Sequence, residues 1–343
     1  MQAIKVTGAG HIEIEDKVPV PVPKDGEILV KIHYVALNPS DWKSIDYFGS
    51  SLIGEGVGSD YSGTVVSSRS RDWEVGDRIA GISKGCNAFD FRDGVFAESA
   101  VVRGELAVKI PEGVGDEEAA TLGIGVSTAG LGLYKEMGLP LPGSVEFGEW
   151  VLVYGGSSAT GSLAVQFAEL SGAKVIATCS SRNFEFVRGL GAIEVFDYNE
   201  PGCAEKIRKR TDDQLVYVFD CIGGDLGSKI CTNAIGSKGG LNCSIIPSTS
   251  YPRGDVRVNR VVAYSIFGEP FQAPGKVVPT MMEDHVFGKM FWRLPERLLA
   301  EGKIKTHPSR VGHGLASVFE GLDGMRRGNV SGQKLVYRVW SPA

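Results

Sequence analysis

The sequence is poor in the residue patterns that build disulfide frameworks and metal sites. None of its six cysteines belongs to a C-x-x-C pair, and its five histidines are dispersed along the chain. The cysteines are Cys86, Cys179, Cys203, Cys221, Cys231 and Cys243. Scattered cysteines of this kind are typical of reduced, apolar side chains in a cytosolic protein. We therefore expect a cytoplasmic protein that is not held together by disulfides.

The sequence also lacks an excess of positive charge and a long apolar run, and we expect no signal peptide. Its 36 Lys and Arg residues are outnumbered by 41 Asp and Glu residues, for a net charge of −5. That balance argues against a surface built for nucleic acids. No apolar run is long enough for a bilayer, and the first ten residues lack the apolar core of a signal peptide. We expect no nucleic-acid partner and no membrane partner.

At 343 residues, 43% of them hydrophobic, the chain is long enough for two domains with separate cores. Short strand signals between turn residues fill the first 110 residues, at 28–37, 63–66, 78–82 and 96–102. No helix pattern at βαβ spacing lies between them. This part therefore predicts a mainly antiparallel, partly barrel-like domain.

The rest of the sequence has the pattern of an α/β domain, after which the chain is expected to return to the first domain. A helical stretch at Thr121–Tyr134 precedes strand signals near Val151, Val175, Val195, Val216, Leu241 and Ala263, with a helix at Ala204–Arg210. Gly268–Pro279 is expected to be a loop, either a flexible rim of a site or a plain connector. A helix is predicted at Glu283–Gly302, kinked or broken at Pro295. The last strand, Lys334–Trp340, has no α/β partner left and should return to the first domain.

A strand, a tight turn, a helix and a second strand follow one another in Trp150–Ser181. This unit places a dinucleotide pyrophosphate at a helix N-terminus, and it predicts a Rossmann-type fold with a redox cofactor. Its glycine pattern has Gly156 and Gly161 at the ends and Ser158 in the middle. We expect Ser158 to offer its N–H and its hydroxyl to the pyrophosphate. The alternative is an ordinary βαβ unit that binds no nucleotide.

The end of the second strand bears on which cofactor is bound. NAD-binding folds usually carry an acidic residue there for the ribose 2′-OH, but the segment Thr178–Asn183 includes no acid. Ser180, Ser181 and Arg182 instead suit a 2′-phosphate through hydrogen bonds and charge. The alternative role for either serine is to cap the helix expected near Asn183. The sequence therefore predicts NADPH rather than NADH.

Several segments besides this unit resemble the medium-chain dehydrogenase/reductase superfamily, across essentially the whole chain. They are Asn38–Asp41, Gly58–Val65, Val75–Arg78, Leu190–Ala192 and Gly332–Val336. The resemblance implies a GroES-like catalytic domain of residues 1–125 and 270–343 and a Rossmann NADPH-binding domain of residues 126–269.

The resemblance is to the zinc-independent branch of that superfamily. Zinc-dependent members carry a cysteine ligand in the first segment and Gly-His-Glu in the second, whereas this chain has Ser40 and Gly58-Ser59-Asp60 there. Only Cys86 lies where a four-cysteine zinc lobe would be. The two ligand segments offer no thiolate or imidazole ligands for a tetrahedral zinc, so we expect no metal.

A finer resemblance is to the fungal stand-alone enoyl reductases of the lovastatin-pathway type. The segments that carry it are Leu152–Thr160, Ala177–Ser180, Asn183-Phe184, Val195–Tyr198, Phe219–Ile222, Ile266–Glu269 and Ser331–Val336. One departure is Phe184, where quinone reductases often have a lysine for the 2′-phosphate; Arg182 is the expected substitute.

This resemblance implies an NADPH-dependent enoyl reductase that acts in trans in polyketide biosynthesis. Its substrate would be a carrier-protein-bound acyl chain of a polyketide synthase or polyketide–peptide hybrid synthase. The protein would be a monomer or a homodimer. Two alternatives stay open, a free quinone or enone reductase and a non-catalytic NADPH-binding adaptor of a synthase.

Lys43 and Thr128 are the candidate catalytic residues. Lys43 follows a strand in a segment where the resemblance places cofactor and active-site contacts, and its alternative role is that of a surface lysine. Thr128 would contact the substrate or the nicotinamide carboxamide, and its alternative role is that of a helix cap.

The resemblance also implies two sets of binding residues. The expected cofactor contacts are Ser40, Asp41, Trp42, Lys43, Ser157, Ser158, Ala159, Thr160, Ser180, Ser181, Arg182, Asn183, Tyr198, Ile245, Ile246, Ser331 and Gly332. The expected substrate contacts are Thr128, Ala129, Gly130, Leu131, Gly132, Leu133, Tyr134, Lys135, Ser265, Ile266, Phe267, Gly268 and Glu269. Core packing is the alternative for Ile245 and Ile246, and a half-buried strand-end position is the alternative for Tyr198.

Overall fold

The computed structural model describes residues 1–249, 251–273 and 276–340. They form two compact units, one from Met1–Ile124 and the described part of Tyr264–Ala343, the other from Gly125–Ala263. The units change one residue before the expected 125/126 limit and six residues before the expected 269/270 limit. The second difference arises because the chain after Ala263 packs within the first unit. The predicted limits of the functional domains stay a prediction.

The described residues contain these strands and helices. The strands are β1 (Ala3–Gly8), β2 (His11–Glu15), β3 (Glu27–Ala36), β4 (Asp60–Ser68), β5 (Arg78–Ile82), β6 (Ser99–Arg103), β7 (Ala107–Lys109), β8 (Trp150–Tyr154), β9 (Lys174–Cys179), β10 (Glu194–Asp197), β11 (Tyr217–Asp220), β12 (Gly240–Ser244), β13 (Val256–Arg260), β14 (Phe271–Ala273), β15 (Lys276–Val278), β16 (Ser309–His313) and β17 (Lys334–Arg338). The α-helices are α1 (Pro39–Phe48), α2 (Asp116–Ala119), α3 (Gly123–Gly130), α4 (Ala159–Leu170), α5 (Phe184–Arg188), α6 (Cys203–Arg210), α7 (Gly224–Ala234), α8 (Met282–Phe291), α9 (Arg293–Ala300) and α10 (Ser317–Arg326). A π-helix, Leu131–Glu136, continues α3.

The first unit is built on a mainly antiparallel sheet of seven strands. Its order is β16-β17-β3-β4-β5-β7, with β6 also paired to β3. The last strand, β17, pairs antiparallel with β3, as expected for a chain that returns to its first domain. Alternating apolar residues of these strands form a core that includes Ile28, Val30 and Ile32, all fully buried. The predicted antiparallel, partly barrel-like architecture is confirmed.

The second unit contains a six-stranded parallel sheet in the order β10-β9-β8-β11-β12-β13. In chain order this is 3-2-1-4-5-6, the doubly wound order in which ligands bind beyond the carboxyl ends of the strands, where the order reverses. That point lies between β8 and β11, two adjacent strands with fully buried residues Val151–Val153 and Val218-Phe219. The Rossmann prediction is confirmed.

Three local predictions are wrong. Ala263 is not in a strand but begins a 3₁₀ turn, Ala263–Phe267, and the sixth strand is β13. The expected loop Gly268–Pro279 contains the paired strands β14 and β15; its Pro274 and Gly275 lie outside the described residues. The predicted helix is interrupted as expected, but the break lies at Trp292 rather than at Pro295. Pro295 stands in the first turn of α9, where a missing N–H costs no intrahelical bond.

Candidate functional site

The turn between β8 and α4 is shaped by glycines that leave no room for side chains. Gly155 has a left-handed backbone, with φ of +82°, and a Cβ there would lie 2.4 Å from the Ile222 side chain. A Cβ on Gly161 would lie 2.1 Å from the Gly155 carbonyl oxygen, and one on Gly156 would lie 2.9 Å from Ala177 Cβ. The turn is therefore closely packed against the sheet, as a phosphate-binding turn requires.

Ser158 closes this turn from within. Its hydroxyl accepts a hydrogen bond from the Gly161 N–H at 3.0 Å and donates one to the Gly155 carbonyl at 2.8 Å. Its own N–H also bonds the Gly155 carbonyl. Both groups are thus used inside the turn, and contact of Ser158 with a pyrophosphate stays a prediction. The N–H groups of Ala159 and Thr160 have no acceptor within the helix, since they belong to its first turn.

The end of β9 brings together most of the residues predicted for the adenosine phosphate. The Asn183 amide donates to Ser157 Oγ at 3.2 Å and to Ser180 Oγ at 3.3 Å, which ties the end of β9 to the β8–α4 turn. Asn183 is also the residue before α5, so neither serine caps that helix. Ser181 and Arg182 are exposed.

An acidic residue does lie near this group, on the next strand. The Asp197 carboxylate accepts from the Ser181 N–H at 3.2 Å and from the Asn199 N–H and side-chain amide, both at 2.9 Å. These contacts lower the pKa of Asp197. Sequence reasoning missed this residue because it considered only the end of β9. Tyr198, next to it, packs on Tyr154 with ring centroids 6.1 Å apart.

Apolar side chains line the carboxyl edge of the sheet at β8, β11 and β12. Ile222 and Ile246 are about half exposed, and a Cβ on Gly223 would lie 2.5 Å from Ile246. The buried Asp220 carboxylate holds this turn by accepting the Ile222 and Gly223 N–H groups at 3.0 and 2.7 Å. Exposed isoleucines next to a phosphate-type turn suit the face of a nicotinamide ring. Ile222, which sequence reasoning missed, belongs beside the predicted Ile245 and Ile246.

In the first unit, the segment Ser40–Lys43 lies in the first half of α1. Asn38 precedes the helix and Pro39 begins it, a position where proline is favoured. The Asp41 carboxylate accepts the Asn38 N–H at 2.7 Å. Lys43 is half-buried, which lowers its pKa, and its ammonium lies 5.6 Å from the centre of the Trp42 ring.

A chain of hydrogen bonds joins Asp41 to a tyrosine far along the sequence. Ser59 Oγ lies 3.4 Å from Asp41 Oδ1 and 3.0 Å from the Tyr264 hydroxyl. Asp41 and Ser59 are buried, at 3% and 0% exposure, whereas Tyr264 is partly exposed. Burial and the nearby Asp60 carboxylate raise the pKa of Asp41 to about 7. Sequence reasoning noted Asp41 and Ser59 separately and missed Tyr264.

A buried ion pair adjoins this chain. Lys334 Nζ donates to Asp60 Oδ2 at 2.5 Å and to Asn38 Oδ1 at 2.8 Å, and the exposures of Lys334 and Asp60 are 3% and 0%. The other Asp60 oxygen accepts the Ile124 N–H at 2.8 Å. The predicted cofactor residues Ser331 and Gly332 precede this lysine, and Gly332 has a φ of +66°. Their role in binding stays a prediction.

The side chains of this region do not fit a zinc ion. Ser59 is engaged by Asp41 and Tyr264, and serine hydroxyls are not among the usual zinc ligands. Burial raises the pKa of the Cys86 thiol and so disfavours the thiolate that would bind metal. Throughout the described part of the chain, no three His, Cys, Asp or Glu residues are grouped so as to hold a metal.

The predicted substrate segment Thr128–Lys135 is largely buried in the second unit. The Tyr134 hydroxyl donates to the Phe167 carbonyl at 3.0 Å and lies 3.1 Å from Ser171 Oγ. A Cβ on Gly132 would lie 2.6 Å from the Phe219 ring. Thr128 is the sixth residue of α3 rather than its first, so the alternative role as a helix cap is excluded. Contact of this segment with substrate stays a prediction.

The second predicted substrate segment, Ser265–Glu269, is held in the first unit at several points. Ser265, Ile266 and Phe267 are buried. The Ile266 carbonyl is bonded by His285 Nδ1 at 2.8 Å, and Glu269 pairs with Arg103 at 2.5 Å. The two predicted substrate segments thus belong to different compact units, and so do the two candidate catalytic residues. Among the described residues, no helix is both long and apolar enough to cross a membrane.

Known proteins are similar to this chain in fold and in sequence. The family description "Alcohol dehydrogenase GroES-like domain" matches residues 24–112, and "Zinc-binding dehydrogenase" matches residues 159–243. A solved alcohol dehydrogenase superfamily protein of Novosphingobium aromaticivorans has a TM-score of 0.80 over 99% of this chain and 100% of that one, at 24% identity. The fold is therefore that of the medium-chain dehydrogenases/reductases.

The sequence relatives define the family more closely. A trans-enoyl reductase of Alternaria alternata is 39% identical over 98% of both chains. Another, from Gibberella fujikuroi, is 38% identical over 98% of this chain and 99% of its own. The chain belongs to the trans-enoyl reductase family of medium-chain oxidoreductases. The family predicted from the sequence motifs is confirmed.

Replacing Asp41 by asparagine should remove a pH dependence of folding. In the folded protein the pKa of Asp41 is about 7, against 3.8 for the free side chain. Its contribution to stability is therefore complete below about pH 4 and is lost as the pH rises to about 7. We expect the free energy of unfolding of the wild type, relative to Asp41→Asn, to fall by on the order of 4 kcal/mol over that range.

Urea unfolding of the wild-type protein and Asp41→Asn at several pH values from 4 to 8 measures this difference. Asparagine keeps an acceptor for the Asn38 N–H, so the start of α1 is preserved. Two stability curves that run parallel from pH 4 to 7 would show that Asp41 ionises normally in the folded protein.

Proposed function

We propose that this protein is an NADPH-dependent, zinc-independent enoyl reductase that acts in trans in polyketide biosynthesis. It reduces the α,β-double bond of an acyl chain carried by a polyketide synthase or a polyketide–peptide hybrid synthase. The observation that carries this proposal is the full-length similarity to trans-enoyl reductases. The tightly packed β8–α4 turn of the doubly wound sheet supports a dinucleotide cofactor.

The cofactor's chemistry is hydride transfer from the reduced nicotinamide to the β-carbon of the double bond. The protein's own residues bind the cofactor and the substrate and orient them. The first-turn N–H groups of α4 hold the pyrophosphate, as helix N-termini do for anions. Ser180, Ser181 and Arg182 hold the 2′-phosphate, and Ile222 and Ile246 cover one face of the nicotinamide ring. Lys43 stabilises the negative charge that develops on the thioester oxygen.

Reduction of three substrate types by the purified protein tests this function against its alternatives. We expect NADPH consumption with a carrier-bound enoyl thioester, slower consumption with the same chain as a free thioester, and little with simple quinones. Rapid quinone reduction without any enoyl thioester reduction would favour the quinone reductase alternative. NADPH binding without turnover on any of these substrates would favour the adaptor.

The protein should bind NADPH more tightly than NADH. Each hydrogen bond to a charged group contributes about 1.5–3 kcal/mol, and Arg182 is exposed at the end of β9, where the 2′-phosphate is expected. Loss of one such contact in Arg182→Ala should weaken NADPH binding by roughly tenfold to a hundredfold. NADH binding should change little.

Fluorescence titration of both cofactors against the wild type and Arg182→Ala measures these affinities. Arg188→Ala is the matched control, because Arg188 is a nearby exposed arginine that pairs with Glu185 at 2.7 Å. NADH binding as tight as NADPH binding in the wild type would refute the predicted preference.

Zinc should be dispensable for folding and for activity. The residues at the expected ligand positions, Ser40 and Ser59, carry hydroxyls rather than thiolate or imidazole groups. Elemental analysis of the purified protein should find zinc well below one per chain, and a chelator should leave the melting temperature and the turnover rate unchanged. One zinc per chain whose removal abolishes turnover would contradict the assignment to the zinc-independent branch.

A further inference from the structure

Tyr264, Ser59 and Asp41 form a continuous chain of proton-carrying groups in the first unit. The Tyr264 hydroxyl lies 3.0 Å from Ser59 Oγ, which lies 3.4 Å from Asp41 Oδ1. The two inner groups are buried, and only the tyrosine at the end of the chain is partly exposed. Of the three residues, Tyr264 is therefore the one with appreciable surface that solvent or a ligand can contact.

The orientation of the hydrogen bonds depends on the state of Asp41. A carboxylate at Asp41 accepts the Ser59 proton, but a carboxylic acid there donates to Ser59. Ser59 then donates to the Tyr264 oxygen, and the phenol proton is left to point away from the chain. The other Asp41 oxygen is engaged by the Asn38 N–H at 2.7 Å, so the oxygen that faces Ser59 is the one available for proton transfer.

We propose that the Tyr264 hydroxyl donates the proton that the α-carbon of the substrate receives during reduction, and that Ser59 and Asp41 replenish it. This inference rests on the proposed enoyl reduction. In that reaction the β-carbon gains a hydride, and the π-electron pair of the double bond moves to the α-carbon and the thioester oxygen as an enolate. Lys43 and Tyr264 then have separate roles, the first at the oxygen and the second at the α-carbon.

The proton transfers balance over one turnover. A C–H bond forms at the α-carbon as the Tyr264 O–H bond breaks. The phenolate takes the Ser59 proton, and Ser59 takes the proton of the Asp41 carboxylic acid. After the product leaves, a proton from water returns to Asp41 through Tyr264 and Ser59. The reduction of each double bond thus consumes one hydride from NADPH and one proton from solvent.

The electrostatics of the three groups suit this role. Burial and the Asp41 carboxylate raise the pKa of Tyr264, which keeps the phenol protonated, and the Ser40 and Ser59 hydroxyls oppose that shift. The groups that face Asp41 are Asp60 from β4, Lys334 from β17, Cys86 and Tyr264 itself. A carboxyl group that gains and loses its proton near neutral pH is an effective proton reservoir at physiological pH.

The test compares Tyr264→Phe with Tyr61→Phe as a matched control. Tyr61 is fully buried in the same unit, and its hydroxyl has no hydrogen-bond partner among the described residues. Removal of the Tyr61 hydroxyl should leave turnover unchanged. Loss of a general acid should lower kcat for Tyr264→Phe by about 10²–10⁴-fold, with NADPH affinity retained.

The stereochemistry of the product separates proton donation from a structural role. With an α-methyl enoyl thioester and NADPH, the wild type and Tyr61→Phe should give one configuration at the α-carbon. Tyr264→Phe should give both, because water then supplies the proton from either side. A variant that is slower for structural reasons would keep the single configuration. Wild-type kcat and a single configuration in Tyr264→Phe would overturn the proposal.

The relay is also measurable in the free protein, without turnover. Infrared spectra should contain a carboxylic acid band that titrates near pH 7 in the wild type and in Tyr61→Phe, and that is absent in Asp41→Asn. Ser59→Ala should move this titration to higher pH, because the Ser59 hydroxyl lowers the pKa of Asp41. Ser59→Ala should also flatten the pH profile of kcat around pH 7. If Tyr264→Phe fails to fold, Ser59→Ala provides the test of the relay.

Two further outcomes are distinguishable. If Asp41→Asn keeps the carboxylic acid band that titrates near pH 7, the relay is overturned, whatever the turnover rate. Wild-type protein that reduces no enoyl thioester, but shows the titrating band, would overturn the proposed function and with it the donor role of Tyr264.

Discussion

Replacing Lys334 by methionine should destabilise the protein by about 3–5 kcal/mol, the usual cost of leaving one partner of a buried ion pair alone. Lys334 and Asp60 are almost completely buried, and the ammonium also bonds Asn38 Oδ1 at 2.8 Å. Methionine fills a similar volume but provides no charge and no donor. The Asp60 carboxylate is then left buried without its cation.

Urea or thermal unfolding of the variant measures this loss. The double variant Lys334→Met with Asp60→Asn should recover much of the stability, because no uncompensated charge remains and asparagine still accepts the Ile124 N–H. Lys109→Met is the matched control. Lys109 pairs with Asp77 but is 59% exposed, so its loss should cost less than about 1 kcal/mol. A Lys334→Met variant as stable as the control would show that the buried pair contributes little.

Lys43→Ala should lower turnover by about 10²–10³-fold, the range observed when one preorganised donor to a developing oxyanion is removed. Lys43 is half-buried, and no hydrogen bond or ion pair of its ammonium occurs within the described residues. A lysine held in this way is available to a ligand rather than committed to the fold. The free energy of unfolding should therefore change by less than about 0.5 kcal/mol.

Steady-state kinetics with an enoyl thioester and unfolding curves on the same preparation separate these two effects. Lys31→Ala is the matched control, since Lys31 also lies over an indole ring, with its ammonium 4.7 Å from the centre of Trp340, outside the predicted site. If Lys43→Ala keeps near wild-type rates, the role belongs elsewhere, and Thr128 is the next residue to replace.

The Rossmann unit was predictable because its signals are local. The apolar strand, the glycine turn and the amphipathic helix of Trp150–Ser181 follow one another without interruption, and β8, α4 and β9 occupy the expected places. The sixth strand was misplaced because it lies at the sheet edge. Among the described strands, β13 pairs with β12 alone, and its sequence Val-Arg-Val-Asn-Arg alternates instead of forming an apolar run.

Contacts between residues far apart in the chain were beyond sequence patterns. The resemblance could identify Ser59 as a replaced ligand position, but not that Tyr264 would bond it from 205 residues away. Nor does any spacing connect Lys334 with Asp60, 274 residues earlier. Ser158 shows the reverse case, since its position in the glycine motif was recognised while the use of its hydroxyl within the turn was not.

The family was identifiable from the resemblance of short motifs. The two kinds of sheet and the glycine turn were predictable because periodicity and turn residues encode backbone conformation locally. Which polar groups contact one another in the interior of the first unit follows from the folded structure and not from local sequence. Antiparallel pairing of β17 with β3 carries Lys334 to Asp60 and Asn38, and the packing of the chain after Ala263 carries Tyr264 to Ser59. These contacts depend on the geometry of the whole sheet rather than on residues that are neighbours in the sequence.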